Sequence, residues 1–242
     1  MLPIILIAVF LISLISFVGA FTLFLKRNLL TRVLLLFIAF SAGAMLGGAF
    51  LHLLPESLPL GESLFVYVIL GIVLFFLLEK FLYWRHCHNG ICEVHPFTYL
   101  NLIGDGIHNF IDGMIIASSF MSGSMELGIA TTVAVALHEV PQELGDFSVL
   151  IYGGMDSRKA LFYNFLSALT AVAGALFVYF FFSFASFGKY LLPLAAGSFI
   201  YIASSDLIPE LHKTRRLSDS VAQFLLFLFG IALMWAFKIV FG

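Results

Sequence analysis

Residues 136–146 read "ALHEVPQELGD", set between "GIATTVAV" (128–135) and "FSVLIYGG" (147–154). Five strongly polar side chains, His138, Glu139, Gln142, Glu143 and Asp146, and a proline fall within nine residues of an otherwise apolar run. In hydrocarbon an ionisable side chain costs at least ~2.5 kcal/mol on insertion scales. Residues that carry such a cost are paired with one another or serve a function, and the surrounding sequence decides which.

That surrounding sequence is membrane. The chain is 62% hydrophobic and 11% charged, with a mean hydropathy of +1.08, whereas soluble domains are roughly half apolar and a quarter charged. Apolar runs of about 20 residues, the length that crosses a bilayer, give eight transmembrane helices near 3–25, 33–54, 64–84, 97–121, 126–151, 160–186, 190–208 and 220–241. The expectation is an all-α polytopic membrane protein forming a single transmembrane domain over 1–242, with no room for a soluble domain. The first span is too long for a signal-peptide core and lacks a cleavage site, so it counts as a helix. Partners are then the lipid bilayer and whatever crosses it, with no nucleic acid.

Charge sets the orientation. Lys26, Arg27, Arg32, Lys80, Arg85, Arg158, Lys159, Lys213, Arg215 and Arg216 fall in alternate connections, against Lys189 and Lys238 on the other side. Cytoplasmic loops carry the basic excess, so both termini are expected to be extracytosolic. Cys87 and Cys92 then lie in a cytosolic loop, where thiols stay reduced.

The chain also repeats itself. "SAGAMLGGAFLHLLPE" (41–56) and "AAGSFIYIASSDLIPE" (195–210) share Ala-Gly, a later Ala and a closing Leu-x-Pro-Glu. "HNFIDG" (108–113) and "HEVPQE" (138–143) both place His at i and a carboxylate or amide at i+4. In the expected topology both matches run in opposite directions, giving a 3+2+3 arrangement with inverted repeats. Such repeats, with polar or interrupted helices at the midplane, are the architecture of secondary transporters.

Positions i and i+4 share a helical face, so His108 with Asp112, and His138 with Gln142, aim two pairs of ligands into the bundle. Asn109 and Glu139 add oxygens beside them. Imidazole with carboxylate and amide oxygens suits a divalent transition metal. Asp105 and Asp146 extend the polar track toward the cytosol. His52 and Glu56 are candidates for receiving an ion on the outer side, and Asp206, Glu210 and His212 for passing it on at the inner side. Pro141 removes a backbone hydrogen bond and frees the Leu137 carbonyl, which predicts a kink. Gly43, Gly47, Gly48, Gly174 and Gly197 read as close-packing positions. The loop 85–96 holds His86, Cys87, His88, Cys92 and His95, a candidate cytosolic metal-binding segment without the spacing of a closed zinc motif.

These motifs resemble the ZIP family (Zrt-, Irt-like proteins) of divalent metal transporters along nearly the whole chain. The most specific are "HNFIDG", "HEVPQELGD" and "FLHLLPE", and the branch most like it carries HExPHExGD in its fifth helix. The resemblance implies eight helices, a metal site between the fourth and fifth, and inward transport of zinc or a neighbouring ion such as iron, manganese, cadmium or cobalt. No resident cofactor is implied, and a homodimer is left open. His108, Asp112, His138 and Gln142 take the ligand positions, Asn109 and Glu139 lie nearby, and Met45 is added by position. Gln142 stands where the branch has His, which implies weaker zinc binding and a broader choice of metal. Family members with two adjacent metals use a carboxylate of the sixth helix, where "NFLSALTAVAGAL" (164–176) offers Asn164, Ser167 and Thr170; this argues against a second adjacent metal. Many eukaryotic relatives carry a long extracytosolic domain, so its absence here points to a prokaryotic source. The expected location is a plasma or bacterial inner membrane, multi-pass.

Two other functions fit parts of the pattern. A metal sensor or scaffold would bind through the 85–96 loop without flux. An intramembrane metalloprotease would use "HEVPQ" as an HExxH-like motif, but position 142 is Gln and Pro141 disturbs the helix that would present both ligands.

Overall fold

The computed structural model describes residues 1–24, 27–86, 94–121, 125–181 and 188–241, and among them there are helices and connections but no strand. A backbone in hydrocarbon must satisfy its own polar groups, and a helix does so within one segment. Among the described residues the helical segments group, in chain order, into eight rods. α1 is Leu2–Ser13, continued by a tighter 3-10 stretch, Leu14–Phe24. α2 is Arg27–Gly48, followed by a wide π turn, Ala49–Leu53, and one more turn, Leu54–Ser57. α3 is Ser63–His86, α4 is Pro96–Met121 and α5 is Met125–Tyr152. α6 is Ser157–Ala168 with Thr170–Phe180. α7 is Gly188–Tyr201, a second π turn, Ile202–Leu207, and Ile208–His212. α8 is Leu217–Phe241.

Six rods hold stretches long and apolar enough to cross a membrane: Leu2–Phe21, Arg32–Leu60, Ser63–Leu82, Ser157–Phe180, Tyr190–His212 and Leu217–Val240. α4 and α5, at 26 and 28 residues, are also longer than a ~30 Å hydrocarbon core requires at about 1.5 Å per residue. Their polar residues set them apart from the other six. The apolar stretches in α2 and α7 are 61% and 56% buried, those in α3 and α8 only 17%. α3 and α8 therefore form the outside of the bundle, exposing Phe65, Leu77, Phe224 and Trp235.

The sequence match between 41–56 and 195–210 has a structural counterpart. The Leu54 N–H bonds the Ala49 carbonyl and the Ile208 N–H bonds the Ala203 carbonyl, each five residues back. Both wide turns precede a proline, Pro55 and Pro209. A proline ring clashes with the carbonyl four residues back and donates no hydrogen bond, and a π turn accommodates both defects. α5, by contrast, runs helical from Met125 to Tyr152 with Pro141 inside it.

Glycine packing is also paired. A Cβ on Gly43 would lie 2.0 Å from the Phe227 carbonyl oxygen, and one on Gly230 2.4 Å from that of Phe40, so α2 and α8 touch backbone to backbone. Gly197 against the Val68 carbonyl and Gly71 against that of Leu194, both at 2.2 Å, repeat the contact between α7 and α3. α4 and α6 meet the same way through Gly113 and Gly174. Gly48 differs from the other expected packing glycines, with open space where a side chain would go.

Two apolar cores flank the centre. Ile38, Phe75, Leu100, Phe199 and Leu207 join α2, α3, α4 and α7. Ile5, Ile12, Ile116, Phe120 and Val178 join α1, α4 and α6, with Val135 of α5. The polar faces of α4 and α5 meet between them.

Candidate metal centre

The spacing of His108 and Asp112 on α4, and of His138 and Glu139 on α5, brings one ligand atom from each within 4.8 Å of all the others. His108 Nε2 lies 3.5 Å from Asp112 Oδ2 and 3.4 Å from Glu139 Oε1. His138 Nε2 lies 3.0 Å from Asp112 Oδ2 and 3.7 Å from Glu139 Oε1. Zinc holds nitrogen and oxygen ligands at about 2.0–2.2 Å in a tetrahedron, which places ligand atoms about 3.3 Å apart. The observed separations bracket that value.

His138 Nε2 and Asp112 Oδ2 lie within hydrogen-bond distance of each other at 3.0 Å, and the ligand atoms of His108 and Glu139 have no such partner. The His138 Nδ1–H donates to the Ala134 carbonyl at 3.2 Å, so Nε2 turns its lone pair toward the carboxylates. A lone pair facing a carboxylate at 3.0 Å is repulsive unless a cation, either a proton or a metal ion, lies between them. Both ring nitrogens of His108 and both oxygens of Glu139 are buried without a hydrogen-bond partner. A buried polar atom left unmatched costs about 1–3 kcal/mol, more if charged. A bound cation removes that cost for several atoms at once.

The group opens into a cavity of about 70 Å³ lined by Gly48, His52 and Glu56 of α2, His108 and Asp112, His138 and Gln142, Phe199 of α7 and Met234 of α8. His52 and Glu56 thus share a wall with the metal-ligand group. The His52 Nε2–H donates to the Met234 carbonyl at 2.9 Å, which leaves Nδ1 as its free nitrogen. The Gln142 Nε2 is buried without a partner. Phe199 packs its ring 5.3 Å from that of His108. A larger, almost wholly apolar crevice of about 620 Å³ opens between α4, α6 and α7. It contains none of the ligand atoms.

Other residues singled out by sequence lie elsewhere. Asn109 turns from the group and donates to Asp105 Oδ1 at 2.8 Å. Asp146 accepts from Asn101 Nδ2 at 3.2 Å. Met45 is buried in the apolar core; the methionine on the cavity wall is Met234. At the far end of α7, Glu210 accepts from the Tyr152 hydroxyl at 3.0 Å and pairs with Lys213. Asp206 keeps one buried oxygen without a partner. His212 lines a separate pocket with Thr214 and Gln223. Glu79 of α3, bonded by the Tyr201 hydroxyl, went unnoticed in the sequence because it reads as the end of an apolar run beside Lys80. Of the loop group, His95 is exposed, its N–H donating to the Gly153 carbonyl at 2.9 Å. Cys87, His88 and Cys92 lie outside the described residues, as does the side chain of His86.

Known proteins share this pattern. The family model of the ZIP zinc transporters matches residues 85–238. The zinc transporter ZIP13 of Pongo abelii is 34% identical over 220 residues, covering 84% of this chain and 66% of that protein. The zinc transporter zipt-7.2 of Caenorhabditis elegans is 30% identical over 274 residues, covering 87% of this chain and 58% of its own length. The zinc transporter ZIP4 of Mus musculus is 40% identical over 124 residues, covering 51% of this chain and 18% of that protein. The match thus spans two thirds or less of each of these relatives. With helices apolar enough to span a bilayer and a family match covering both His-bearing motifs, the chain is a multi-pass membrane protein and belongs to the ZIP zinc transporter family.

Proposed function

We propose that the protein carries zinc across the membrane toward the cytosol, with the ion held between α4 and α5 by His108, Asp112, His138 and Glu139. Gln142 serves as an adjacent oxygen donor, and Asn109 positions Asp105 beside the group. The observation that carries this reading is the convergence of four ligand atoms within 4.8 Å of one another, with those of His108 and Glu139 buried and without a hydrogen-bond partner. His52 and Glu56, on the wall of the same cavity, receive the ion from outside. Asp206, Glu210 and His212 lie on its way in. Iron, manganese, cadmium and cobalt are further candidate cargoes, since the donor set is borderline and includes no thiolate.

The proposed architecture is a single domain of eight spans in a 3+2+3 arrangement, with inverted repeats and both termini extracytosolic. The matched π turns and the two sets of paired glycine contacts support it. As a ZIP family member the protein is a transporter and not a protease. A sensor without flux finds no support in that membership.

Zinc uptake into proteoliposomes made with the purified protein tests the reading. His108→Ala, Asp112→Ala and His138→Ala should each abolish uptake while the protein still inserts. Uptake at the unmodified rate in two of the three would refute the assignment of the centre.

A further inference from the structure

Between α7 and α8 a short turn, 213–216, separates two stretches that are each apolar enough to cross a bilayer, Tyr190–His212 and Leu217–Val240. The turn therefore lies at a membrane surface whichever way the chain is oriented. Its charges do not balance. The acids of 210–220 are Glu210, which pairs with Lys213, and Asp219, which pairs with Arg32 of α2. Arg215 and Arg216 are exposed and have no carboxylate partner among the described residues. Two guanidinium groups thus stay uncompensated at the surface.

A cavity of about 320 Å³ opens beside this turn, and its wall is divided by chemistry. Thr214, Ser220 and Gln223 form a polar part, and Leu211, Phe224 and Phe227 an apolar part. Phe227 lies about 15 Å further along α8 than Leu217, so the apolar part runs from the surface into the hydrocarbon. Hydrogen bonds fix the turn. The Thr214 N–H donates to the Leu211 carbonyl at 3.1 Å, and the Ser220 hydroxyl to the Arg216 carbonyl at 3.2 Å. Gln223, which is buried, donates from Nε2 to Thr214 Oγ1 at 3.0 Å. Because Thr214 Oγ1 accepts that bond, its own proton remains to be donated. Among the described residues no carboxylate lines the cavity, so nothing in it repels an anion.

We propose that the turn and this cavity bind one anionic phospholipid. Arg215 and Arg216 hold its phosphate, Thr214 donates to a headgroup or ester oxygen, and an acyl chain lies against Leu211, Phe224 and Phe227. A guanidinium presents a planar fork of N–H donors that matches phosphate oxygens, and basic pockets between membrane helices suit anionic headgroups. A soluble phosphate ester would use the cations and leave the apolar part bare. A neutral lipid would cover the apolar part and leave both guanidinium groups unpaired. Basic residues at this surface also orient the chain; Arg158 and Lys159, exposed at the start of α6, share that role and provide a control. The site belongs to α7 and α8 and stands whether or not the His-bearing group carries zinc across.

The test is native mass spectrometry of the purified full-length protein in detergent, titrated with phosphatidylglycerol or with phosphatidylcholine of the same acyl chains. The unmodified protein should bind one phosphatidylglycerol roughly 25-fold more tightly than phosphatidylcholine, about fivefold for each basic residue near an anionic headgroup. Arg215→Gln with Arg216→Gln should erase that preference, and Arg158→Gln with Lys159→Gln should retain it. Thr214→Val keeps the shape of the side chain and removes its hydroxyl; it should weaken phosphatidylglycerol by about fivefold with both guanidinium groups in place. Equal affinity for the two lipids overturns the proposal, and so does a full preference in an Arg215→Gln/Arg216→Gln protein of unchanged helical circular dichroism. Loss of the preference in the Arg158→Gln/Lys159→Gln variant would reduce the effect to general surface charge and overturn it as well. Glycerol phosphate binding as tightly as phosphatidylglycerol would make the occupant a soluble phosphate ester, against the proposal.

Discussion

At the scale of single residues the decisive position is Gln142, on the cavity wall with its amide nitrogen unmatched. An amide oxygen is a harder and weaker zinc donor than an imidazole nitrogen. Gln142→His should therefore lower the zinc concentration for half-maximal uptake and raise the preference for zinc over manganese. The maximal rate should stay equal or fall, because a carrier must release what it binds. Proteoliposome uptake with both metals measures all three, and unchanged affinity and preference would mean that Gln142 does not reach the ion. The pairs His108/Asp112 and His138/Gln142 were legible in the sequence because helical spacing fixes which side chains share a face. Met234 was not, since it enters from α8 and no period within one helix reports a neighbour 182 residues away. For Asn109, adjacency to His108 shows where its Cα lies but not that its amide nitrogen donates to Asp105 one turn back while its amide oxygen is left without a partner.

At the scale of helices, apolar runs identify the rods while polar signals at their ends set the boundaries. α6 begins at Ser157, three residues before the expected span, because the Asp156 side chain accepts from the Arg158 and Lys159 N–H groups at 3.1 and 3.4 Å. That is an N-cap, readable in "DSRK" but hidden when only hydropathy is followed. Proline was harder to read. Pro141 drew attention as a kink, yet the wide turns precede Pro55 and Pro209. Which proline widens a helix depends on what packs around the freed carbonyl, and that is tertiary information. The glycine contacts make a sharper prediction. Gly43→Leu forces a side chain into the Phe227 carbonyl, and overpacking of this kind costs about 1–3 kcal/mol. Its Tm in detergent should fall by several degrees, whereas Gly48→Ala, facing open space, should leave Tm unchanged. Equal Tm values for both variants would mean that α2 and α8 are not held by this contact.

At the scale of the whole molecule, composition and the spread of basic residues determine most of what can be read. The helical class and the six strongly apolar stretches follow from hydropathy alone. α4 and α5 are harder to recognise by that measure because the functional residues that identify them also dilute their hydropathy. The basic residues make a definite prediction about orientation: tags on both termini should react with a membrane-impermeant reagent in intact cells, while a cysteine at Ser157 should not. Protection of either tag would reverse or break the proposed topology. The His52–Met234 bond and the Gly43–Phe227 contact have a further consequence, for biosynthesis. Both surfaces on α2 leave the ribosome long before α8 exists, and at ~5–20 residues per second they wait roughly 10 to 40 s for their partners. During that interval the glycine groove of α2 lies bare in the bilayer, and the cavity beside the His-bearing group lacks the wall that Met234 supplies. Nascent chains of this fold should therefore depend on insertion machinery that shelters half-built bundles, and truncations just before α8 should be cleared by proteolysis rather than accumulate.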